Sequence, residues 1–477
     1  MANPLHACLL LALLFLALAF FHPGGVAWAL SSSGGHGAAA IPGPPGVLLA
    51  FAGPNPHRTL ARLAASRGAT RLMAFSVGLT RFVVASHPDT AREILAGAAF
   101  ADRPVKEAAA ELMFRRAIGF APNGEYWRRL RRLASAHAFG PRRRRLLQLA
   151  SLDNVMASVF GVGLGELGEG AVSELEEMVK QGYELLGTFN WGDHVPLLRL
   201  LDVHGVRRRS RALASRVRVF VSKIIEEHKR RRDAKYGGGG GDDDGDGDFV
   251  DVLLGLEGEE RLEEEDMVAV LWEMIFRGTD TVAILLEWVL ARMALHPDIQ
   301  SKAQAEIDAA AAAANGDAAG LPYLHCVVKE CLRMHPPGPL LSWARLATRD
   351  AHLDHLDGGR AMVVPAGTTA VVNMWAIARD GGLWRDPGVF RPERFLDEAA
   401  DVGVGAGCDL RLAPFGAGRR ACPGRALAMA TIHLWLAQLL RSFRWVPSGD
   451  GGVDMSERLN MSLEMEKPLI CLALPRT

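Results

Sequence analysis

A glycine-rich loop that ends in a single cysteine is the feature of this 477-residue chain that most constrains its fold. Residues 414–424 read PFGAGRRACPG, and an apolar segment predicted to be helical, residues 425–440, follows at once. Glycines let backbone N–H groups approach the sulfur of Cys422, and the start of a helix favours an anion at that point. The loop is therefore predicted to hold a thiolate in a fixed position.

The neighbours of Cys422 indicate what the thiolate binds. Phe415 supplies an aromatic ring in the same loop, and Arg420 supplies a cation two residues before the sulfur. A rigid thiolate suits an axial ligand of haem iron, and the cation can pair with a haem propionate. The alternative is a buried structural cysteine in a glycine-rich turn, which the complete pattern F-x-x-G-x-R-x-C-x-G disfavours.

Composition excludes several classes of protein. Hydrophobic residues make up 49% of the chain, which is enough for a large core and too many for a disordered or fibrous protein. Lys+Arg and Asp+Glu both number 54, and this neutral balance argues against nucleic acid as the main partner. The six cysteines show neither a disulfide framework nor zinc-site spacing, which favours a reducing compartment.

The first thirty residues are predicted to be a membrane anchor or a cleaved signal peptide. An uninterrupted apolar run, residues 7–21, is followed by the sequence HPGG at 22–25. As a helix the run spans only about 22 Å of a roughly 30 Å hydrocarbon core, whereas a helix over residues 5–26 could span it with some thinning of the bilayer. Residues 27–29 resemble a cleavage site, but no Lys or Arg precedes the run. At this point both interpretations stay open.

Beyond the N-terminus, the sequence predicts one globular body, residues 47–477. Residues 31–46 are predicted to be a proline- and glycine-rich hinge, because the sequence IPGPPG at 41–46 cannot continue a helix. Residues 237–248 contain only glycine and aspartate and are predicted to form a flexible surface loop.

Hydrophobic periodicity predicts a mainly α fold with a small β-sheet. The predicted helices are residues 89–96, 126–138, 217–228, 263–295, 324–334 and 425–440. Residues 263–295 are apolar nearly all round, which predicts a helix through the middle of the fold. The predicted strands, rich in β-branched residues, are 82–85, 362–364 and 368–373.

The cysteine loop and further motifs resemble the cytochrome P450 monooxygenases over nearly all of the chain after the hinge. Glu330 and Arg333 fit the E-x-x-R helix motif of this family, and Arg394 in the sequence PERF occupies the position of the arginine that joins this pair. The resemblance implies the cytochrome P450 fold and a structural role for Arg394. Glu330 and Arg333 share a helix face, although on a surface such a pair would matter little.

Three more residues fit positions that contact the haem propionates in this family. Trp127 and Arg131 fit the helix pattern W-x-x-x-R, and Arg345 occupies a second propionate-pairing position, with a surface cation as its alternative interpretation. The resemblance implies that the cofactor is haem b, iron protoporphyrin IX. The cofactor-binding residues are then Cys422, which binds the iron, Phe415, Arg420, Trp127, Arg131 and Arg345.

The long central helix carries the catalytic stretch that the resemblance implies. Residues 276–281 read FRGTDT, and the family pattern is a small residue, glycine, any residue, an acid and threonine. Glycine inside a helix costs about 1 kcal/mol against alanine, so Gly278 indicates a backbone opened for a ligand. Thr281 and Asp280 are the predicted catalytic residues, which would deliver protons. The alternative for Thr281 is a hydrogen bond back to the preceding turn.

Arg277 departs from the family pattern, which has a small residue at this position. Positions 277 and 281 are one helical turn apart and face similarly, so Arg277 is predicted to border the substrate cavity. We hypothesise that it pairs with a carboxylate on the substrate. An ion pair with Asp280 on the same helix is an equal alternative.

Segments 276–281, 335–345 and 421–435 look like those of a plant microsomal subfamily that controls organ size and leaf initiation. The resemblance implies hydroxylation of an apolar small molecule, such as a fatty acid or a growth-signal precursor. Dioxygen would be one substrate, and electrons would come from NADPH through NADPH–cytochrome P450 reductase, since the chain has no flavin or Rossmann fingerprint. The resemblance also implies an uncleaved N-terminal anchor, residues 1–30, in the endoplasmic reticulum membrane and a cytosolic catalytic domain.

Two other functions remain as alternatives. One is a haem-thiolate isomerase that rearranges hydroperoxides without dioxygen, against which the intact pair of Asp280 and Thr281 argues. The other is a non-enzymatic haem sensor or lipid-binding membrane protein. Consumption of NADPH with formation of a hydroxylated product would separate the monooxygenase from both.

Overall fold

The computed structural model describes residues 20–30, 41–46, 50–134, 156, 159–236, 247–312, 320–341, 344–353, 362–397, 409–449 and 452–476. The helices before the long central one are α1 (Val26–Ala29), α2 (Pro56–Ser66), α3 (Pro88–Ala96), α4 (Glu107–Leu112), α5 (Glu125–Leu133), α6 (Leu164–Leu167), α7 (Glu169–Gly187), α8 (Pro196–Leu201), α9 (Val206–Tyr236) and α10 (Phe249–Leu254). The central helix and those after it are α11 (Glu264–Leu295), α12 (Pro297–Ala312), α13 (Pro322–Met334), α14 (Met374–Ile377), α15 (Arg394–Asp397) and α16 (Arg425–Ser442).

The strands are short and form several small sheets. They are β1 (Met73–Val77), β2 (Thr80–Ala85), β3 (Arg345–Leu346), β4 (Ala351–Leu353), β5 (Met362–Val364), β6 (Thr369–Val372), β7 (Phe443–Pro447), β8 (Glu457–Leu459), β9 (Leu463–Met465) and β10 (Cys471–Pro475). One sheet has the order β1-β2-β6-β3, and the pairs β4-β5, β7-β10 and β8-β9 stand apart. β2 runs antiparallel to β1 and parallel to β6, with Phe82 opposite Thr369. Mainly helical structure with small sheets is confirmed.

Periodicity located most of the helices correctly. The predicted helices 89–96, 263–295, 324–334 and 425–440 correspond to α3, α11, α13 and α16. The predicted helix 126–138 corresponds to α5 as far as Leu133, and residues 135–150 lie outside the described part. The predicted helix 217–228 is too short, because α9 begins at Val206 and ends at Tyr236.

The predicted strands 82–85, 362–364 and 368–373 correspond to β2, β5 and β6, and the structure places β5 in a different sheet from the other two. The chain turns at Gly367, whose φ of +77° lies in the left-handed region that favours glycine. β5 then pairs with β4, whereas β6 lies between β2 and β3.

Helix α11 is the element around which the core is built, as its apolar sequence predicts. Its first half packs into one core with α5, α7 and α9, and its second half packs into another core with α13 and α16. Residues 277–281, between the two halves, are only half-buried. This stretch therefore lies where the two cores leave space between them.

The pair of Glu330 and Arg333 is buried, so the expectation for a surface pair does not apply. Both side chains are fully enclosed, and the Arg333 guanidinium donates to the Glu330 carboxylate at 2.8 and 2.9 Å. Arg394 also donates to Glu330, at 3.1 Å, and to the carbonyl oxygen of Arg385 at 2.7 Å. These hydrogen bonds of Arg394 join the segment before the cysteine loop to α13, in line with the structural role predicted for it.

Of the predicted flexible loop 237–248, the structure describes residues 247 and 248. Asp248 is buried rather than on the surface. Its side chain caps α10 by accepting the backbone N–H of Asp251 at 3.0 Å. Its carboxylate also lies 2.9 Å from Nε2 of His228 on α9. The end of this segment is therefore part of the packed body.

The predicted membrane anchor lies mostly outside the described residues, because 1–19 are not among them. The prediction of a helix that continues through Val26 is wrong, because Gly24 and Gly25 have φ of +83° and +84° and interrupt it. Trp28 is buried, and its indole N–H donates to the carbonyl oxygens of Phe75 and Phe82. Across the parts of the chain that the structure describes, no helix combines the length and the apolar character needed to span a bilayer.

Candidate active site

A large cavity lies beside the middle of α11 and opens to solvent. The space between its walls and across its opening to solvent is about 1770 Å³. Its apolar lining residues are Leu95, Ile118, Val159, Met274, Val282, Leu285, Leu332, Leu341, Leu427 and Ile432. Such a lining suits an apolar ligand.

The cysteine loop forms one wall of this cavity. Gly416 and Gly418 have φ of +71° and +67°, and a Cβ at Gly418 would lie 2.2 Å from the carbonyl oxygen of Leu95. These glycines let the loop turn tightly against the end of α3. The loop closes on itself where the backbone N–H of Cys422 donates to the carbonyl oxygen of Phe415 at 2.8 Å. The side chains of Cys422 and Phe415 both line the cavity.

The Cys422 thiol is placed as a ligand at the cavity wall. Burial raises the pKa of this thiol, while Arg277, the backbone N–H of Gly424 and Arg131 act in the opposite direction. The thiol is nevertheless accessible to solvent through the cavity. If a metal ion replaces the thiol proton, the same cations and the same backbone N–H would stabilise the resulting thiolate.

Two of the predicted propionate-binding arginines line the cavity, and within the described residues each makes one hydrogen bond. Arg131 on α5 donates one N–H to the carbonyl oxygen of Ala421 at 2.6 Å, and Arg345 at the start of β3 donates one to Ala417 at 3.3 Å. Burial, together with the nearby Arg420 and Arg131, lowers the pKa of Arg345 to about 9. Arg345 is 4% exposed, so its interpretation as a surface cation is wrong.

Arg420 and Trp127 contact each other, and both are tied to backbone carbonyls. The Arg420 guanidinium lies 4.2 Å from the centre of the Trp127 ring. Arg420 donates to the carbonyl oxygens of Ala101, Ile118 and Ala121 at 3.1, 3.1 and 2.7 Å. The Trp127 indole N–H also donates to Ile118, at 2.9 Å. Arg420 thus fastens the cysteine loop to residues 101–121, and its pairing with a propionate stays a prediction.

Arg103 is a site residue that the sequence analysis missed. Its side chain lines the cavity, and its Nε and Nη1 atoms are buried with no hydrogen-bond partner among the described residues. Burial and the nearby Arg345, Arg277 and Arg420 together lower its pKa. No motif distinguishes Arg103 among the 54 basic residues, so the sequence offers no signal for it.

These residues fit haem. Cys422 would bind the iron through its thiolate, and carboxylates nearby would stabilise the buried, crowded cations around it. The two propionates of haem are such carboxylates. Arg103, Arg131 and Arg345 would hold them, because each of these side chains has N–H groups without a partner among the residues that the structure describes.

The catalytic stretch of α11 places Thr281 at the cavity and Asp280 behind it. Thr281 and Gly278 line the cavity, whereas Asp280 does not. Within the described residues the hydroxyl of Thr281 has no protein partner. The back-bond to the preceding turn belongs instead to Thr279, whose hydroxyl donates to the carbonyl oxygen of Ile275 at 2.5 Å. The alternative interpretation given for Thr281, a hydrogen bond back to the preceding turn, therefore describes Thr279 instead.

Asp280 is a carboxyl with altered acidity. Burial and the carboxylate of Glu464 on β9 together raise its pKa to about 6. A group of this pKa can take up and release protons near neutral pH. Glu464 is itself partly exposed to solvent, and its carboxylate lies 2.7 Å from the guanidinium of Arg458.

A cavity lined by one accessible cysteine, a group of buried arginines and a threonine on a central helix defines a haem-thiolate protein. Comparisons with known proteins agree. The family model described as Cytochrome P450 matches residues 142–472. The chain belongs to the cytochrome P450 family, it is a cytochrome P450 monooxygenase, and its cofactor is haem b.

The similar proteins include several plant relatives. Cytochrome P450 78A5 of Arabidopsis thaliana is 50% identical, over 95% of this chain and 92% of that relative. Cytochrome P450 78A1 of Zea mays is 52% identical, over 86% of this chain and 80% of the relative. A solved zebra fish cytochrome P450 with progesterone matches the fold with a TM-score of 0.71 and 24% identity, over 88% of this chain and 99% of that one. The predicted resemblance to a plant P450 subfamily is therefore confirmed.

Proposed function

We propose that this monooxygenase hydroxylates a C–H bond of an apolar small molecule bound between α11 and the cysteine loop. The observation that carries the proposal is the cavity itself, in which Thr281 and Cys422 line one space among many apolar side chains. Haem, when bound, supplies the activation of dioxygen. The aliphatic lining would bind the substrate and exclude water from the reacting atoms.

Proton delivery is the part of the reaction that this chain's own residues would perform. The Thr281 hydroxyl would hold a proton at the cavity, and the Asp280 carboxyl, with a pKa of about 6, would replenish it. Glu464 would pass protons from water to Asp280. The arrangement supports oxygen chemistry that consumes protons, which a hydroperoxide isomerase does not need.

Electrons would come from NADPH through NADPH–cytochrome P450 reductase, docked to the protein at a membrane surface. The proposal includes the endoplasmic reticulum as that membrane, with the catalytic body in the cytosol. It is supported by the apolar run at residues 7–21 and by the absence of a flavin or nucleotide fingerprint in the sequence. Haem-thiolate enzymes of this kind rely on a partner for reducing equivalents.

The test is a reconstitution of the haem-loaded enzyme with the reductase, NADPH and a lipid chosen by spin-state titration against a panel. We expect NADPH consumption and a hydroxylated product. Thr281→Ala should lower the product formed per NADPH by at least about tenfold, because it removes a proton donor from the cavity. Thr279→Ala is the matched control, since that hydroxyl is already bonded to Ile275. Turnover of a lipid hydroperoxide without NADPH would contradict the proposal.

A further inference from the structure

Tyr183 on α7 contacts the start of the catalytic stretch of α11, although its own side chain is not part of the cavity wall. Its hydroxyl donates to the backbone carbonyl oxygen of Phe276 at 2.6 Å. Its ring also stacks on the ring of Phe276, with 4.2 Å between the ring centres and 23° between the planes. One tyrosine therefore contacts both the backbone and the side chain of Phe276, which fixes this point of α11 relative to α7.

The glycine before Tyr183 makes this close contact possible. Gly182 is buried, and a Cβ at this position would lie 2.8 Å from the ring of Phe276. Carbon atoms in ordinary contact are about 3.5–4.0 Å apart, so a side chain at Gly182 would displace the ring. Gly182 and Tyr183 together thus bring α7 onto α11 at Phe276.

The Phe276 carbonyl belongs to the helical turn that carries the predicted catalytic residues. In an α-helix the carbonyl oxygen of residue i accepts the backbone N–H of residue i+4, so this oxygen is the acceptor for the peptide N–H of Asp280. Thr281 follows directly and lines the cavity. A hydrogen bond from another helix to this carbonyl therefore acts on the turn that presents both Asp280 and Thr281.

This turn is packed less tightly than the helix before it. Phe276 is fully buried in the first of the two cores, whereas residues 277–281 are only half-buried. Gly278 adds backbone freedom to the turn, because glycine has no side chain to restrict it. The contact with Tyr183 therefore lies at the last tightly packed residue before the less constrained stretch.

The hydroxyl of Tyr183 also lies within electrostatic reach of the turn. Burial raises the pKa of this phenol, the carboxylate of Asp280 raises it as well, and Arg277, which lines the cavity, acts in the opposite direction. The phenol therefore keeps its proton over the pH range in which Asp280, with a pKa of about 6, titrates. Tyr183 is thus a permanent donor to the Phe276 carbonyl rather than a carrier of protons.

We propose that Tyr183 is a positioning residue for proton delivery, which acts through Phe276 on the turn that carries Asp280 and Thr281. The assignment rests on the proposed function, from which it takes the proton-delivering roles of these two residues. By joining α7 to α11, Tyr183 keeps the Thr281 hydroxyl at the cavity and the Asp280 carboxyl behind it. Without this hydrogen bond the turn would sample arrangements that deliver protons less efficiently.

The first test measures the turn itself, by hydrogen exchange of the haem-loaded enzyme and mass spectrometry of peptides that cover residues 277–281. Tyr183→Phe keeps the stacked ring and removes only the hydroxyl. We expect the backbone N–H groups of the turn to exchange about three- to tenfold faster, as the loss of one hydrogen bond predicts. Tyr126→Phe is the matched control, because the Tyr126 hydroxyl also bonds to α11, at the carboxylate of Asp266 at 2.9 Å. That contact is about 15 Å along the helix from Phe276, so exchange at 277–281 should not change.

The second test measures the product formed per NADPH, with the reductase and a lipid selected by the spin-state titration. We expect Tyr183→Phe to lower this ratio about two- to fivefold, as the loss of one neutral hydrogen bond would. The affinity for the lipid should stay the same, because the hydroxyl is not part of the cavity wall. Gly182→Ala, which displaces the Phe276 ring, should lower the ratio in the same direction, and Tyr126→Phe should leave it at the wild-type value.

The assignment is overturned if Tyr183→Phe leaves exchange at 277–281 unchanged, or if Tyr126→Phe alters exchange and product ratio to the same extent. Faster exchange with an unchanged product ratio would also overturn it, since the turn would then move without consequence for proton delivery. In both cases wild-type enzyme that hydroxylates the lipid with NADPH would leave the proposed function standing. A wild-type enzyme without NADPH-dependent product would remove that function, and hydrogen exchange would still decide whether Tyr183 fixes the turn.

Discussion

Among single residues, the sulfur of Cys422 determines the chemistry of the cavity. Serine preserves the size of this side chain but replaces a thiolate with a weakly acidic hydroxyl, which donates far less charge to iron. We expect haem-loaded Cys422→Ser to lack the red-shifted absorption band of reduced, carbon-monoxide-bound haem with a sulfur ligand. The measurement is the difference spectrum with and without carbon monoxide. Cys471→Ser, on the outer strand β10, should keep the band, and a Cys422→Ser protein that kept it would refute the ligand assignment.

The raised pKa of Asp280 predicts how the yield of product per NADPH depends on pH. Burial raises the pKa of this carboxyl to about 6, so the form that carries a proton increases as the pH falls from 8 to 6. As a proton donor it should therefore raise the product formed per NADPH over that range. Asp280→Asn should flatten this dependence, because the amide does not titrate.

Glu464→Gln provides the control for Asp280. Its carboxylate helps to raise the pKa of Asp280, so its removal should move the pH dependence toward lower pH without abolishing it. The ratio of product to NADPH is the quantity to measure, since it cancels the pH dependence of the reductase. An unchanged profile in Asp280→Asn would show that protons reach the cavity by another route.

At the scale of elements, the buried network of Glu330, Arg333 and Arg394 joins α13 to the segment that precedes the cysteine loop. Glu330→Gln leaves two enclosed arginines without a negative partner, which should cost about 3–5 kcal/mol of unfolding free energy. Chemical denaturation of the haem-loaded protein measures this loss. Glu227→Gln breaks an exposed pair with Arg231 on α9 and should change stability by less than about 0.5 kcal/mol. Equal effects would mean that the buried network is not a support of the fold.

Elements differ in how far the sequence predicts them. The apolar run of α11 predicts its position because the turns on either side of residues 277–281 are buried in one of two cores. α9 is longer than predicted because charged residues, such as Arg207 to Arg209, interrupt the pattern, although Val206, Leu213 and Val217 are buried. Strands of two or three residues, such as β3 and β8, are too short to show a period in the sequence.

For the whole molecule, the active site forms where distant segments meet. The motif residues Cys422, Thr281, Arg131 and Arg345 could be selected from the sequence because each belongs to a recognisable pattern, and the structure brings them to one cavity. Arg103 could not, because its role depends on burial and on neighbouring cations rather than on any local pattern. The close approach of Gly119 to Glu273, which are 154 positions apart, likewise exists only after folding.

The whole molecule also includes residues that the sequence assigns to an anchor and a hinge. Trp28 and the 41–46 segment pack on the first sheet, where the backbone N–H of Ala74 donates to the carbonyl oxygen of Pro42 at 2.9 Å. A Cβ at Gly43 would lie 1.9 Å from the carbonyl oxygen of Ala74, so the two backbones are in direct contact. The folded body therefore extends to residues that precede position 47.

A pair of truncations tests where the folded body begins. A chain that starts at Phe20 should unfold at the same temperature as the full chain. A chain that starts at residue 47 loses the buried Trp28 and its two hydrogen bonds to the sheet, so it should lose at least about 3–5 kcal/mol, the usual cost of removing a buried tryptophan. Trp28→Ala should account for most of this loss, whereas Leu30→Ala, about half exposed, should cost little. Equal stability of the two truncated chains would place the boundary of the catalytic domain at 47, as the sequence alone predicts.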